Sequence, residues 1–218
     1  MTFFSKQLSA IFWDNDGVLV DTERIFYEAN RQILALHGFD LSLDMFLELS
    51  LGQGRSVLAL LGRPPGEHEQ LTAARNRLYS ELLSAAGPEL VNPGVMDALR
   101  YFYGKVTMGI VSCSRRDHFD LIHRRTGIPD YMDFIITLED FSCSKPDPEP
   151  YLMALDCAGC IPEEAVAIED SRRGIASAVA AGIEVIAIPQ QHSLPGELSD
   201  ARLVIDHAGR LPQLLSFR

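Results

Sequence analysis

Short apolar runs recur along the chain, and between them apolar positions return every third or fourth residue. Residues 10–13, 106–111, 134–137, 166–168, 185–188 and 203–205 are apolar nearly throughout. Such runs predict strands covered on both faces, as in a parallel sheet, since a half-exposed strand would alternate. The helical period appears over 24–37, where Ile25, Phe26, Ala29, Ile33, Leu34 and His37 form a stripe that Gly38 stops, with Asp21-Thr22 as cap candidates. Two short helices are predicted over 42–49 and 56–61, with the glycine-bearing turn Leu51-Gly52-Gln53-Gly54-Arg55 between them. A longer one covers 67–85, with Leu71, Leu78 and Leu82 on its apolar face. From Pro93-Gly94 onward helices over 95–102, 115–125, 148–158 and 172–181 alternate with the remaining strands.

That order has a consequence for organisation. The stretch between the first and second strands carries no strand signal, whereas everything after it follows a βαβ rhythm. The fold class expected is α/β, a doubly wound Rossmann-like parallel sheet core with a small all-helical domain inserted after the first strand. The core would comprise residues 1–22 and 91–218, and the insert residues 23–90.

Composition narrows the setting. With 218 residues, 47% of them hydrophobic, the chain can bury one ample core and a modest second one. A net charge of −11 argues against a general binder of nucleic acid or anionic membrane. Residues 1–7 run straight into the first strand, too short an apolar stretch for a signal peptide or a span, so a cytoplasmic setting is expected. Cys113, Cys143, Cys157 and Cys160 are scattered; Cys157-Ala-Gly-Cys160 has metal-like spacing but no second ligand pair nearby.

The chemistry lies where the strands end, because the strands of a parallel sheet open on one edge. The first run is cut off by Asp14-Asn15-Asp16-Gly17, the second by Ser112-Cys113-Ser114, and a later one by Glu169-Asp170-Ser171. Lys145, one of three lysines in the chain, lies in the loop Cys143-Ser144-Lys145-Pro146-Asp147. Carboxylates gathered at one rim repel one another unless a hard cation joins them, and oxygen ligands of this kind suit Mg2+ with a phosphate. A hydroxyl and an ammonium supply what phosphoryl oxygens need. Asp14 could then attack as a nucleophile while Asp16 gives and takes a proton. Blander readings exist for each: an Asx turn at Asp14-Asn15-Asp16, a solvated lysine, acids at a helix N-terminus, and Ser112 or Ser114 as the cap of the helix near residue 115.

The set Asp14-x-Asp16-Gly17-Val18, Ser112, Lys145-Pro146-Asp147 and Glu169-Asp170-Ser171 resembles the four motifs of the haloacid dehalogenase superfamily of phosphohydrolases. The helical insert is similar to the cap of its subgroup containing β-phosphoglucomutase and phosphoglycolate phosphatase. The resemblance implies a nucleophile at Asp14, an acid/base at Asp16, a phosphoryl contact at Ser112 beside Cys113, and a charge stabiliser at Lys145. It further implies Mg2+ held by Asp14, the main-chain carbonyl of Asp16 and Asp170, with Glu169 in or just behind that shell. Gly52 and Arg55 would lie in the substrate-specificity loop, with Arg75 as a second cationic candidate. His37, His68, His118, His123, His192 and His207 show no ligand spacing and read as surface or packed residues.

The function expected is a Mg2+-dependent phosphatase for a small phosphorylated metabolite, with a sugar phosphomutase of β-phosphoglucomutase type as the alternative. Phe26 stands where the mutase carries a histidine, which argues for hydrolysis. Asp16 argues against a dehalogenase proper, which lacks that aspartate. The partners expected are a small phosphate ester, no nucleic acid and no membrane, in a monomer or weak homodimer.

Overall fold

Ala10–Trp13 (β1) occupies the middle of a six-stranded parallel sheet, and all four of its side chains are buried. The computed structural model describes residues 8–190, 193, 196 and 198–216; the opening heptapeptide and His192 lie outside them. After β1 come helices α1 (Glu23–Leu36), α2 (Leu43–Phe46), α3 (Pro65–Ala85) and α4 (Val95–Phe102). The chain then continues β2 (Thr107–Val111), α5 (Arg116–His123), β3 (Phe134–Ile136), α6 (Glu149–Ala158), β4 (Ala165–Glu169), α7 (Arg172–Ala180), β5 (Glu184–Ala187), β6 (Leu203–Val204) and α8 (Leu211–Leu214). Strand order is β3-β2-β1-β4-β5-β6, the doubly wound arrangement expected from the βαβ rhythm.

Two compact units emerge, one of Met1–Asp21 with Pro88–Arg218 and one of Thr22–Gly87. In the first, Trp13 registers with Ile110 of β2 and with Ile168 of β4. Asp14, Ser112 and Glu169 therefore emerge at nearly one level. On one sheet face Phe12, Val111, Ala167 and Val185 pack with Tyr151, Ala154 and Leu155 of α6 and Ile175 and Ala178 of α7. From the other, Trp13 meets Phe102 of α4, ring centroids 6.5 Å apart. Strand order reverses on either side of β1, so a crevice for ligands opens beyond its carboxyl end.

The second unit is helical. Ile33 and Leu34 of α1, Leu41, Phe46, Val57, Leu58 and Leu71 of α3 form its core. Several local expectations shift here. Thr22 holds the N-cap position of α1 with no side-chain cap bond, while His37 is exposed at the far end. The buried face of α3 carries Leu71, Tyr79 and Leu83, with Leu78 and Leu82 half-buried beside them and Leu78 packed on the same core, as the apolar stripe predicts. The helix expected over 42–49 is capped by Ser42, which accepts from Met45 N, and continues as a π-helix, Leu47–Gly52. Gly52 thus ends a helical segment rather than opening a turn.

Candidate active site

A buried cation organises the carboxyl end of β1. The Lys145 ammonium donates to Asp14 Oδ1 at 2.6 Å, Glu169 Oε1 at 2.7 Å and the Val111 carbonyl at 2.8 Å, which uses all three of its donors. Lys145 is 4% exposed, Asp14 9% and Glu169 fully buried. The lysine is therefore not a solvated loop residue. Arg173 of α7 donates to its main-chain carbonyl and ties the loop to the helix.

Glu169 is satisfied by the protein on both oxygens. Oε1 also accepts from Tyr151 Oη at 2.7 Å, and Oε2 accepts from Asp170 N at 3.2 Å and Ser171 Oγ at 3.3 Å. Ser171 in turn caps α7 by accepting from Gly174 N at 3.1 Å. The helix lies close over the carboxylate: a Cβ on Gly174 would be 2.0 Å from Glu169 oxygens. A similar approach occurs at Gly17, whose φ is +93° and whose Cβ would be 1.8 Å from Asp170 Oδ2. Asn92 Nδ2 fixes that turn by donating to the carbonyls of Gly17 (2.7 Å) and Val18 (3.0 Å), and Gln190 donates to the former as well.

Two acids around one ammonium leave an excess negative charge. The Asp14 carboxyl is raised to about 8, the net of burial, which pushes it up most, of Lys145, which pulls it down, and of Glu169 and Asp16, which push it up. For Lys145, burial works against the charge, yet Asp14 and Glu169 together raise its pKa well above the ordinary value, so it stays an ammonium. Burial and Glu169 likewise hold Tyr151 in its phenol form. One oxygen each from Asp14, Glu169 and Asp170 lie within 4.8 Å of one another. An all-oxygen, multiply anionic group of this kind fits a hard divalent cation such as Mg2+.

Ser112 is buried at the end of β2, and its Oγ accepts from Ser114 N at 2.9 Å. The blander reading of Ser112 or Ser114 as a helix cap is not met: Arg115 holds that position for α5, and Ser114 Oγ donates to Asp16 Oδ2 at 2.6 Å. Asp16 is half-buried and also accepts from Asn15 Nδ2 at 3.1 Å. Cys113 is exposed and receives Ser144 Oγ at 3.1 Å. Gly52 and Arg55 belong to the Thr22–Gly87 unit, where both are exposed and Arg55 reaches Gln53 Oε1 at 3.5 Å. Sequence reasoning missed Tyr151 and Arg173, which lie inside helices, and the uncharged amides Asn92 and Gln190. It also treated His123 as a surface or packed residue, although His123 bonds Asn15 between the two aspartates.

The model of haloacid dehalogenase-like hydrolases matches residues 11–188. A phosphorylated carbohydrates phosphatase of Thermotoga maritima is 30% identical over 188 residues, covering 82% of this chain and 84% of that protein. A β-phosphoglucomutase of Bacillus subtilis is 28% identical over 199 residues, 87% of each. Among solved structures, a β-phosphoglucomutase from Clostridium difficile superposes with a TM-score of 0.80 at 24% identity, over 94% of this chain and 93% of that one, a likeness of fold.

Proposed function

Because the chain belongs to the haloacid dehalogenase-like hydrolase family, we propose that it is a Mg2+-dependent phosphatase releasing inorganic phosphate from a small phosphorylated sugar. The observation that carries this reading is the buried Lys145 ammonium fixed between Asp14 and Glu169 at the end of β1. It fixes one oxygen of Asp14, as an attacking carboxylate requires, and offers positive charge beside the place of attack.

In this mechanism an Asp14 oxygen forms a bond to phosphorus as the ester P–O bond breaks, and Asp16 gives its proton to the departing oxygen. Water then attacks the aspartyl phosphate, Asp16 takes a water proton, and the Asp14 carboxylate is restored. Ser112, already accepting from Ser114 N, donates its O–H to a phosphoryl oxygen. Asp14, Asp170 and the Asp16 carbonyl would hold the cation, which supplies neutralising charge for the phosphoryl oxygens among so many acids. Glu169, with both oxygens committed to protein donors, acts as the support of Lys145 and Asp170. Gly52 and Arg55 are assigned to the distal part of the substrate, where an arginine can fork onto an anionic group.

Hydrolysis is favoured over phosphoryl return by the surroundings of Phe26. Its ring packs on Phe46 and Tyr79, centroids 6.0 and 5.2 Å away, under the Arg75 guanidinium at 4.5 Å. Phe26 is thus an apolar packing residue and offers nothing that could couple a sugar hydroxyl to the chemistry. The phosphatases among the relatives, including the Thermotoga maritima protein, support the same choice. A panel of hexose 1- and 6-phosphates, pentose phosphates and phosphoglycolate, followed by phosphorus NMR, tests it. Inorganic phosphate should accumulate with the best ester, and Arg55→Ala should weaken that ester far more than p-nitrophenyl phosphate. Conversion of a hexose 1-phosphate to its 6-phosphate, faster than phosphate release, would overturn the choice of acceptor.

A further inference from the structure

Asp16 is approached from behind by a buried file of hydrogen bonds that none of the steps above employs. His123, the last residue of α5, places Nε2 2.7 Å from Asn15 Oδ1 and Nδ1 2.9 Å from Thr126 Oγ1. Thr126 Oγ1 accepts from Ile128 N at 3.2 Å, and Asn15 Nδ2 donates to Asp16 Oδ2 at 3.1 Å. Asn15 is fully buried, His123 6% and Thr126 9% exposed.

The direction of every bond in the file follows from its two ends. Ionised, or protonated on its other oxygen, Asp16 Oδ2 only accepts, so the Asn15 amide turns its NH2 to Asp16 and its oxygen to the histidine. That oxygen needs a donor, so the imidazole carries its proton on Nε2. Nδ1 is then an acceptor, which Thr126 O–H satisfies while its oxygen receives Ile128 N–H. Burial pushes His123 down to about 4, in keeping with a neutral ring whose Nδ1 accepts. Asp16 Oδ2 thereby receives two fixed donors, Asn15 from the file and Ser114 Oγ at 2.6 Å from the end of β2.

We propose that His123 and Asn15 are positioning residues for proton transfer: the neutral, Nε2-protonated imidazole orients the Asn15 amide, which together with Ser114 holds the Asp16 carboxyl in one rotamer at the leaving oxygen. This rests on the assignment of Asp16 as acid and base. Aligned proton transfer matters in proportion to how poor the leaving group is. A nitrophenolate departs with little help, whereas a phenolate or an alkoxide needs the proton.

The test is kcat/KM across a series of para-substituted phenyl phosphates, from nitro to unsubstituted to methoxy, since kcat/KM excludes the later attack of water on the aspartyl phosphate. Asn15→Leu and His123→Leu should slow phenyl phosphate at least about tenfold more than p-nitrophenyl phosphate. His123→Gln, whose amide can bring an N–H to the place of Nε2, should restore most of the difference. The ring of the wild-type protein, read by nitrogen NMR, should be neutral with its proton on Nε2, a measurement that needs no variant. Equal losses on every ester, no loss at all, or a proton on Nδ1 would each overturn the inference. A wild-type protein inert to every ester would instead sink the phosphatase reading, and the tautomer would still decide the bonding of the file.

Discussion

Asp14 carries the sharpest conflict between stability and use. Its carboxyl is buried beside Glu169, so the metal-free fold resists the charge that the proposed attack on phosphorus requires. Asp14→Asn removes the proposed nucleophile and the like-charge repulsion together. We expect turnover of p-nitrophenyl phosphate to fall by several orders of magnitude while the melting temperature of the metal-free protein does not drop. A variant that keeps a tenth of the wild-type rate would exclude a covalent aspartyl phosphate. At this scale the meeting of Asp14, Lys145, Glu169 and Asp170 was legible, because three of them end or follow apolar runs and the fourth is a scarce lysine. The partners that tune them were not. Tyr151 lies inside α6 and His123 is 108 residues from Asn15, and only packing brings such pairs together.

Among the elements, α7 is the one whose seating the site depends on. It is capped through Ser171, which also bonds Glu169, and Gly174 lets its first turn lie directly on that carboxylate. Alanine normally improves a helix, but at Gly174 its Cβ would meet the Glu169 carboxyl. Gly174→Ala should therefore cost about 1–3 kcal/mol by overpacking, and should slow turnover through the displaced Glu169–Lys145 pair. Gly66, in the first turn of α3, is the internal contrast: no heavy atom lies within 4 Å of its Cβ position. Gly66→Ala should stabilise by about 0.4–1 kcal/mol. Denaturant unfolding of both variants decides the matter, and a Gly174→Ala protein as stable as wild type would remove the close-packing argument. The kind and order of the long elements could be read from hydrophobic period alone. Their details could not, since the π-helix Leu47–Gly52 depends on neighbours that period does not encode.

On the scale of the whole molecule, folding, proton and cation are linked through the same carboxyl. In the metal-free protein Asp14 is raised from 3.8 to about 8, so the folded state holds a proton that the unfolded chain has released over that range. Stability from this group is complete below about pH 4 and declines as pH rises toward 8, by at most about 1.4 kcal/mol per unit. A divalent cation requires the ionised carboxylate, and below pH 8 its binding must expel that proton. Apparent Mg2+ affinity should thus climb up to about tenfold per pH unit between about 6 and 8 and level off above. Mg2+ should likewise raise the melting temperature more at about pH 8 than at about pH 6. Calorimetric titrations in buffers of different ionisation enthalpy would count the protons, approaching one per Mg2+ at the lower pH and nearly none at about pH 9. Asp14→Asn should bind the cation more weakly and lose the dependence, because no proton remains to be displaced at that position. An affinity in the wild-type protein that stayed flat from pH 6 to 8 would show that Asp14 is already ionised without metal, and that Lys145 outweighs burial in setting its charge.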